Sequence, residues 1–150
     1  MHTQDTLMKS LEKVLSEQII DLQENTVQYH GKELYPIYLD RSEKDNLKWV
    51  GLIAEALKKA KNFEIHCWNE EKEWIEVALQ YGAFKDSNWK YGKMIEGTVT
   101  QEFTEMVLGM PKPQDIEIYN KMTPFFNVFL DDSFQSSHYG TEIYMEDGRE

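Results

Sequence analysis

A chain of 150 residues with 27 acidic and 16 basic side chains carries a net charge of −11, a balance that repels nucleic acid and anionic membrane surfaces. Its single cysteine excludes an intrachain disulfide and an all-cysteine metal cluster. No stretch reaches the roughly 18 apolar residues of a spanning helix, and with no signal-peptide core near its start the expected compartment is the cytoplasm.

The first element expected is an amphipathic helix over residues 3–22, where Leu7, Leu11, Val14, Leu15, Ile19 and Leu22 recur at helical spacing, opened by Thr3 or Asp5. Residues 26–29 and 34–39 flank His30 and Gly31 and predict a hairpin. Pro36 cannot donate to a ladder, which places its strand at an edge or delays its start. Ser42 and Asp45 resemble a capping box and open a second helix through Leu47, Val50, Ile53, Ala54 and Leu57. Lys58, Lys59 and Lys61 at its end suit the helix dipole.

Residues 63–69 alternate as a strand, with Phe63, Ile65 and Cys67 on one face and Glu64, His66 and Trp68 on the other. A third helix over 70–81 uses Trp74, Ile75, Ala78 and Leu79 as its apolar face and ends at Gly82. Residues 94–100 read as a strand and 101–108 as a short helix, although the alternation Val99, Gln101, Phe103, Glu105, Val107 also fits one longer strand. A helix over 115–122 and closing strands over 125–130 and 140–145 complete the pattern. With no linker, repeat or low-complexity tract, the expectation is a single α+β domain over residues 1–150. It pairs a mostly antiparallel mixed sheet with about four helices, with a barstar-like α/β layer as the alternative.

The charge is regional. Residues 1–61 hold ten acidic and nine basic groups, residues 62–150 seventeen and seven, so nearly all the imbalance lies in the second part. Catalytic motifs are missing from the sequence: it has no glycine-rich phosphate loop, serine elbow or paired-histidine helix, and no cofactor fingerprint. Cys67 beside His66 is no nucleophile–base pair, because adjacent strand residues point to opposite faces. Asp131, Asp132, His138, Glu142 and Asp147 offer oxygen and nitrogen ligands and carry the alternative of a small metal-dependent hydrolase, but their spacing matches no calcium loop. Glu70, Glu73 and Glu76 share one helical face without a hydrophobic wall to tune them for acid–base work.

What remains is a surface of carboxylates and aromatics suited to a basic protein. The expected partner-binding residues are Glu70, Glu71, Glu73, Glu76, Trp89 and Tyr91, with Asp131 and Asp132; Trp68 and Tyr81 add to the aromatic set. A self-interface built from the Trp and Tyr residues, in an oligomeric regulatory domain, is the plainer alternative. The segment 63–82, a strand running directly into an acidic helix, resembles the small acidic bacterial toxin-immunity proteins. That resemblance implies a cytoplasmic protein that binds a cognate basic toxin or nuclease domain and blocks it without catalysis, its carboxylates standing in for phosphates.

Overall fold

The computed structural model describes residues 27–29, 32–39, 42, 44–114 and 119–146. Eight strands form one sheet: β1 (Val27–Tyr29), β2 (Lys32–Tyr38), β3 (Asn62–Trp68), β4 (Gly82–Lys85), β5 (Gly92–Thr98), β6 (Asn127–Leu130), β7 (Phe134–Ser137) and β8 (Glu142–Met145). Their spatial order is β1-β2-β8-β7-β6-β3-β5-β4, and every pairing is antiparallel. Three helices accompany them among the described residues: α1 (Leu47–Lys59), α2 (Lys72–Leu79) and α3 (Gln101–Gly109).

This corrects the α+β expectation with about four helices. The sheet dominates, and it gains two strands, β4 and β7, in segments for which the sequence predicted no element. Of the two remaining expected helices, that over 3–22 lies outside the described residues. Of the segment 115–122, residues 119–122 are not helical and the rest is outside the described set. His30 and Gly31, the expected hairpin turn, also fall outside it, while β1 and β2 do pair on either side. Pro36 belongs to an inner strand. Among the described residues β1 pairs with residues 32–34 of β2, and Pro36 lies opposite Tyr144 of β8.

All three helices lie on one face. Phe63, Ile65 and Cys67 of β3 share a core with Trp49, Ile53 and Leu57 of α1, Ile75 and Ala78 of α2, and Phe103 and Val107 of α3. Trp49, Ile53 and Leu57 follow a four-residue step along one stripe of α1. That helix begins later than the Ser42–Asp45 box foresaw: Asp45 Oδ1 accepts from Leu47 N at 3.1 Å, while Asn46 Nδ2 donates to Met122 O at 3.0 Å. α3 begins at Thr100, whose hydroxyl accepts from Phe103 N at 3.0 Å.

Gly82 opens β4 instead of ending a helix. A Cβ there would lie 2.2 Å from Glu96 O, so glycine lets β4 approach β5. The register places Ala83 opposite Glu96 and Lys85 opposite Met94, and continues across His66–Asn127 and Glu64–Phe129. The face opposite the helices therefore carries a polar and aromatic band running across β4, β5, β3 and β6.

Candidate functional site

β3 organises this band. Its seven residues span about 20 Å, with a different cluster at each end and a third between them.

Between the ends, Glu64 Oε2 and His66 Nε2 are 2.6 Å apart, and Lys85 Nζ donates to Glu64 Oε1 at 2.6 Å. Asn127 of β6 stands 3.2 Å from His66 Nδ1 through its Nδ2, and its Oδ1 accepts from the backbone N–H of His138 at 3.3 Å. The imidazole is tilted against Phe129 and Trp89, with centroids at 4.8 and 5.9 Å. Burial would raise the Glu64 pKa, but the hydrogen bonds and charges of His66 and Lys85 prevail and hold it at about 2. Both His66 nitrogens and both Glu64 oxygens are thus engaged, which leaves no free imidazole nitrogen for substrate or metal.

At the C-terminal end of β3, Glu71 precedes the first residue of α2 and turns its side chain back toward the strand. Its Oε1 accepts from Trp68 N at 2.8 Å and its Oε2 from the Tyr139 hydroxyl at 2.9 Å. Burial raises its pKa against the pull of these hydrogen bonds and of the Lys121 charge. Burial, followed by the nearby Glu71 carboxylate, also pushes the Tyr139 hydroxyl well above its ordinary value. Around this pair Trp68, Phe126 and Tyr139 form a second buried cluster, with Trp89, Tyr91 and Tyr119 packed on it. Asn69 fixes the following loop to the corner: its N–H donates to Tyr91 O at 2.9 Å and its Nδ2 to Lys90 O at 3.0 Å. Glu70, Glu73 and Glu76 are exposed.

At the other end, Asp131 (φ 52°) ends β6 and accepts from the backbone N–H groups of Lys61 and Asn62 at 2.9–3.2 Å. With Asp132, Glu64, Glu96 and Phe129 it lines a shallow depression of about 330 Å³.

The eight expected partner-binding residues therefore divide. Glu71, Trp89 and Tyr91 meet the C-terminal end of β3, Glu70 adjoins Glu71, Glu73 and Glu76 follow on α2, and Asp131 and Asp132 lie at the start of β3. Glu71 and Asp131 are tied into local structure, whereas Glu70, Glu73 and Glu76 face solvent. Trp68, expected among the surface aromatics, is buried. The metal-ligand set is not brought together. Asp131 and Asp132 occupy the β6–β7 turn and His138 the β7–β8 turn, at opposite ends of β7. His138 Nδ1 pairs with Glu142 Oε2 at 2.9 Å, and Asp147 falls outside the described residues. No group of three or more His, Cys, Asp and Glu side chains among the described residues is placed to hold a metal ion. Cys67 lies in the core, where burial, and secondarily the Glu71 charge, pushes its thiol far above the range of a reactive thiolate.

The Asn127 link between His66 and the β7–β8 turn was not foreseen. The alternation that set Glu64 and His66 on one strand face was its visible half; Asn127, 61 positions further on, carries no local signal.

Comparison with protein families, curated proteins and solved structures finds no match. No helix among the described residues is long and apolar enough to cross a membrane.

Proposed function

We propose that the protein is a non-catalytic inhibitor of a basic protein, in the manner of a cytoplasmic immunity protein that neutralises a cognate toxin domain. The observations that carry this reading are the exposed carboxylates Glu70, Glu73 and Glu76 that follow β3, and half-buried Trp89 and Tyr91 packed on the Trp68 cluster at the end of the same strand. Carboxylates in water accelerate encounter with a basic surface, and aromatic rings already fixed by packing supply contact area at little cost in side-chain entropy. Trp89 is fixed in this way: its ring meets Trp68 edge-on at 4.7 Å. It also walls a depression of about 240 Å³ with Phe84 and Met94, of a size to receive a partner side chain.

The binding reading is further supported by how the groups that chemistry would need are used. The Glu64 oxygens, both His66 nitrogens and the Asp131 carboxylate satisfy neighbours within the fold. A standard interface covers about 800 Å² per partner, a patch roughly 30 Å across, so the Asp132 depression can form the rim of an interface centred on the corner.

The test is retention of partners on immobilised protein at low and high salt, with the wild type and the triple variant Glu70→Gln/Glu73→Gln/Glu76→Gln. The expected result is a basic protein held at low salt by the wild type and weakly by the variant. Its expression alone should arrest growth, and co-expression of this chain should relieve the arrest. A retained basic protein whose toxicity is unaffected by this chain, or no basic protein retained at all, overturns the proposal.

A further inference from the structure

We propose that proton uptake by His66 is coupled, through the side chain of Asn127, to release of the turn between β7 and β8. The argument is one of donors and acceptors. The backbone N–H of His138 can only donate, so the Asn127 atom it meets at 3.3 Å is the carbonyl Oδ1. The amide nitrogen of Asn127 then faces His66 Nδ1 at 3.2 Å, and since an NH₂ group can only donate, Nδ1 is the bare nitrogen of the ring. The single proton of neutral His66 is therefore on Nε2, donated to Glu64 Oε2 at 2.6 Å. This fixes the tautomer from a backbone group of known polarity.

A second proton on His66 must go to Nδ1, where it meets the Asn127 NH₂ group, donor against donor. Turning the amide over gives Nδ1–H an oxygen but presents the NH₂ group to His138 N–H. One of the two bonds is lost whichever way Asn127 points. Lys85 bonds the other oxygen of Glu64 and favours its ionised form, so the incoming proton goes to the ring and not to the carboxylate. The charged and titratable groups around the ring are Glu64 on its own strand, Lys85 of β4 bonded to Glu64, and Glu96 of β5 opposite Glu64. Beyond Asn127 stand His138 and Glu142.

The bond at stake holds the backbone N–H of the first residue of a turn whose later residues are tied to Phe126, Met122 and Ser137. His138, Tyr139 and Gly140 all have positive φ, at 52°, 61° and 82°, and two of the three are not glycine. Tyr139 also receives Met122 N on its carbonyl and donates its N–H to Phe126 O, so loosening at His138 begins at the first residue of the turn. The coupling concerns the free protein and is independent of any partner.

Nuclear magnetic resonance of the whole chain tests it. At about pH 8 the His66 ring is expected as the Nε2–H tautomer. Between about pH 8 and 5, where histidines titrate, the exchange rate of the His138 amide, taken relative to that of Ile65, is expected to rise about tenfold. It should follow the His66 midpoint and not that of the His138 ring. Asn127→Asp, with an acceptor on both sides, should raise the His66 midpoint by at least about one unit and keep the His138 amide protected throughout. An Nδ1–H tautomer, or His138 exchange that does not follow His66, overturns the coupling. Both are read on the wild type, so the test survives if the variant fails to fold.

Discussion

Glu64 and Glu71 stand seven residues apart along one strand and the start of the next helix, each partly buried against aromatic rings, yet their environments act in opposite senses. Glu64 meets an ammonium and an imidazole, and its pKa falls from 4.5 to about 2 although burial pushes the other way. Glu71 meets a peptide N–H and a phenol, with a lysine only at longer range, and burial wins: its pKa rises. Neutral donors can satisfy a carboxylate's lone pairs without offsetting the loss of bulk water around its charge. One site therefore stabilises the ionised protein, and the other bears the cost of a half-buried charge.

The largest expected effect is at Glu64. A shift from 4.5 to about 2, at 1.36 kcal/mol per unit, amounts to about 3 kcal/mol. Because the folded-state value is the lower one, this stability is fully present above pH 4.5 and is lost as pH falls through 2. Lys85, its pKa raised chiefly by the Glu64 hydrogen bond, keeps its half of the pair below its ordinary value of 10.5 and yields it as pH rises beyond. Glu64→Gln should therefore cost about 3 kcal/mol in urea unfolding at pH 7 and progressively less toward pH 2.5. A cost independent of pH would mean that packing, not charge, holds this site.

Glu71→Gln sharpens the contrast because its pH dependence runs the other way. With a raised folded-state pKa, the folded protein binds more protons than the unfolded chain above pH 4.5, so stability falls as pH rises through that window. Glutamine removes the penalty while retaining an acceptor for one of the two donors. The expected cost is about 1 kcal/mol at pH 4, the scale of one hydrogen bond, shrinking toward pH 7. Unfolding curves for the wild type and variant at the two pH values check it. A cost that grows with pH would place Glu71 in the same class as Glu64.

The contrast was half visible in the sequence. Alternation along residues 63–69 placed Glu64 and His66 on one face, and the helical stripe Trp49, Ile53, Leu57 was legible because burial repeats with the period of the helix. β7 was illegible because Gln135, Ser136 and Ser137 lack the apolar alternation of a strand. They are buried as a strand, with Ser136 accepting from Trp49 Nε1 at 3.1 Å and Gln135 donating to Ser137 at 2.8 Å. A hydroxyl with a tertiary partner 87 positions away is polar in sequence and interior in the fold. The same reason separated Glu71 from its neighbours: Glu70, Glu71 and Glu73 form one acidic run, and only the position of Tyr139 distinguishes the anchored carboxylate from the exposed ones.

The smallest expected effect on stability comes from those exposed neighbours. Glu73→Gln and Glu76→Gln should each change the unfolding free energy by less than about 0.5 kcal/mol, since both side chains face solvent on α2. Their charge acts outward, over a Debye length of about 8 Å at physiological ionic strength, where it can accelerate the approach of a basic surface. The comparison then extends from stability to association. Glu64→Gln should lower the unfolding free energy and leave the salt dependence of the association rate with a basic partner nearly unchanged. Glu73→Gln with Glu76→Gln should do the reverse, flattening that dependence in a folded protein of wild-type stability. Carboxylates fixed by the fold have already spent their field on their neighbours, and those left in water are the ones a partner can feel.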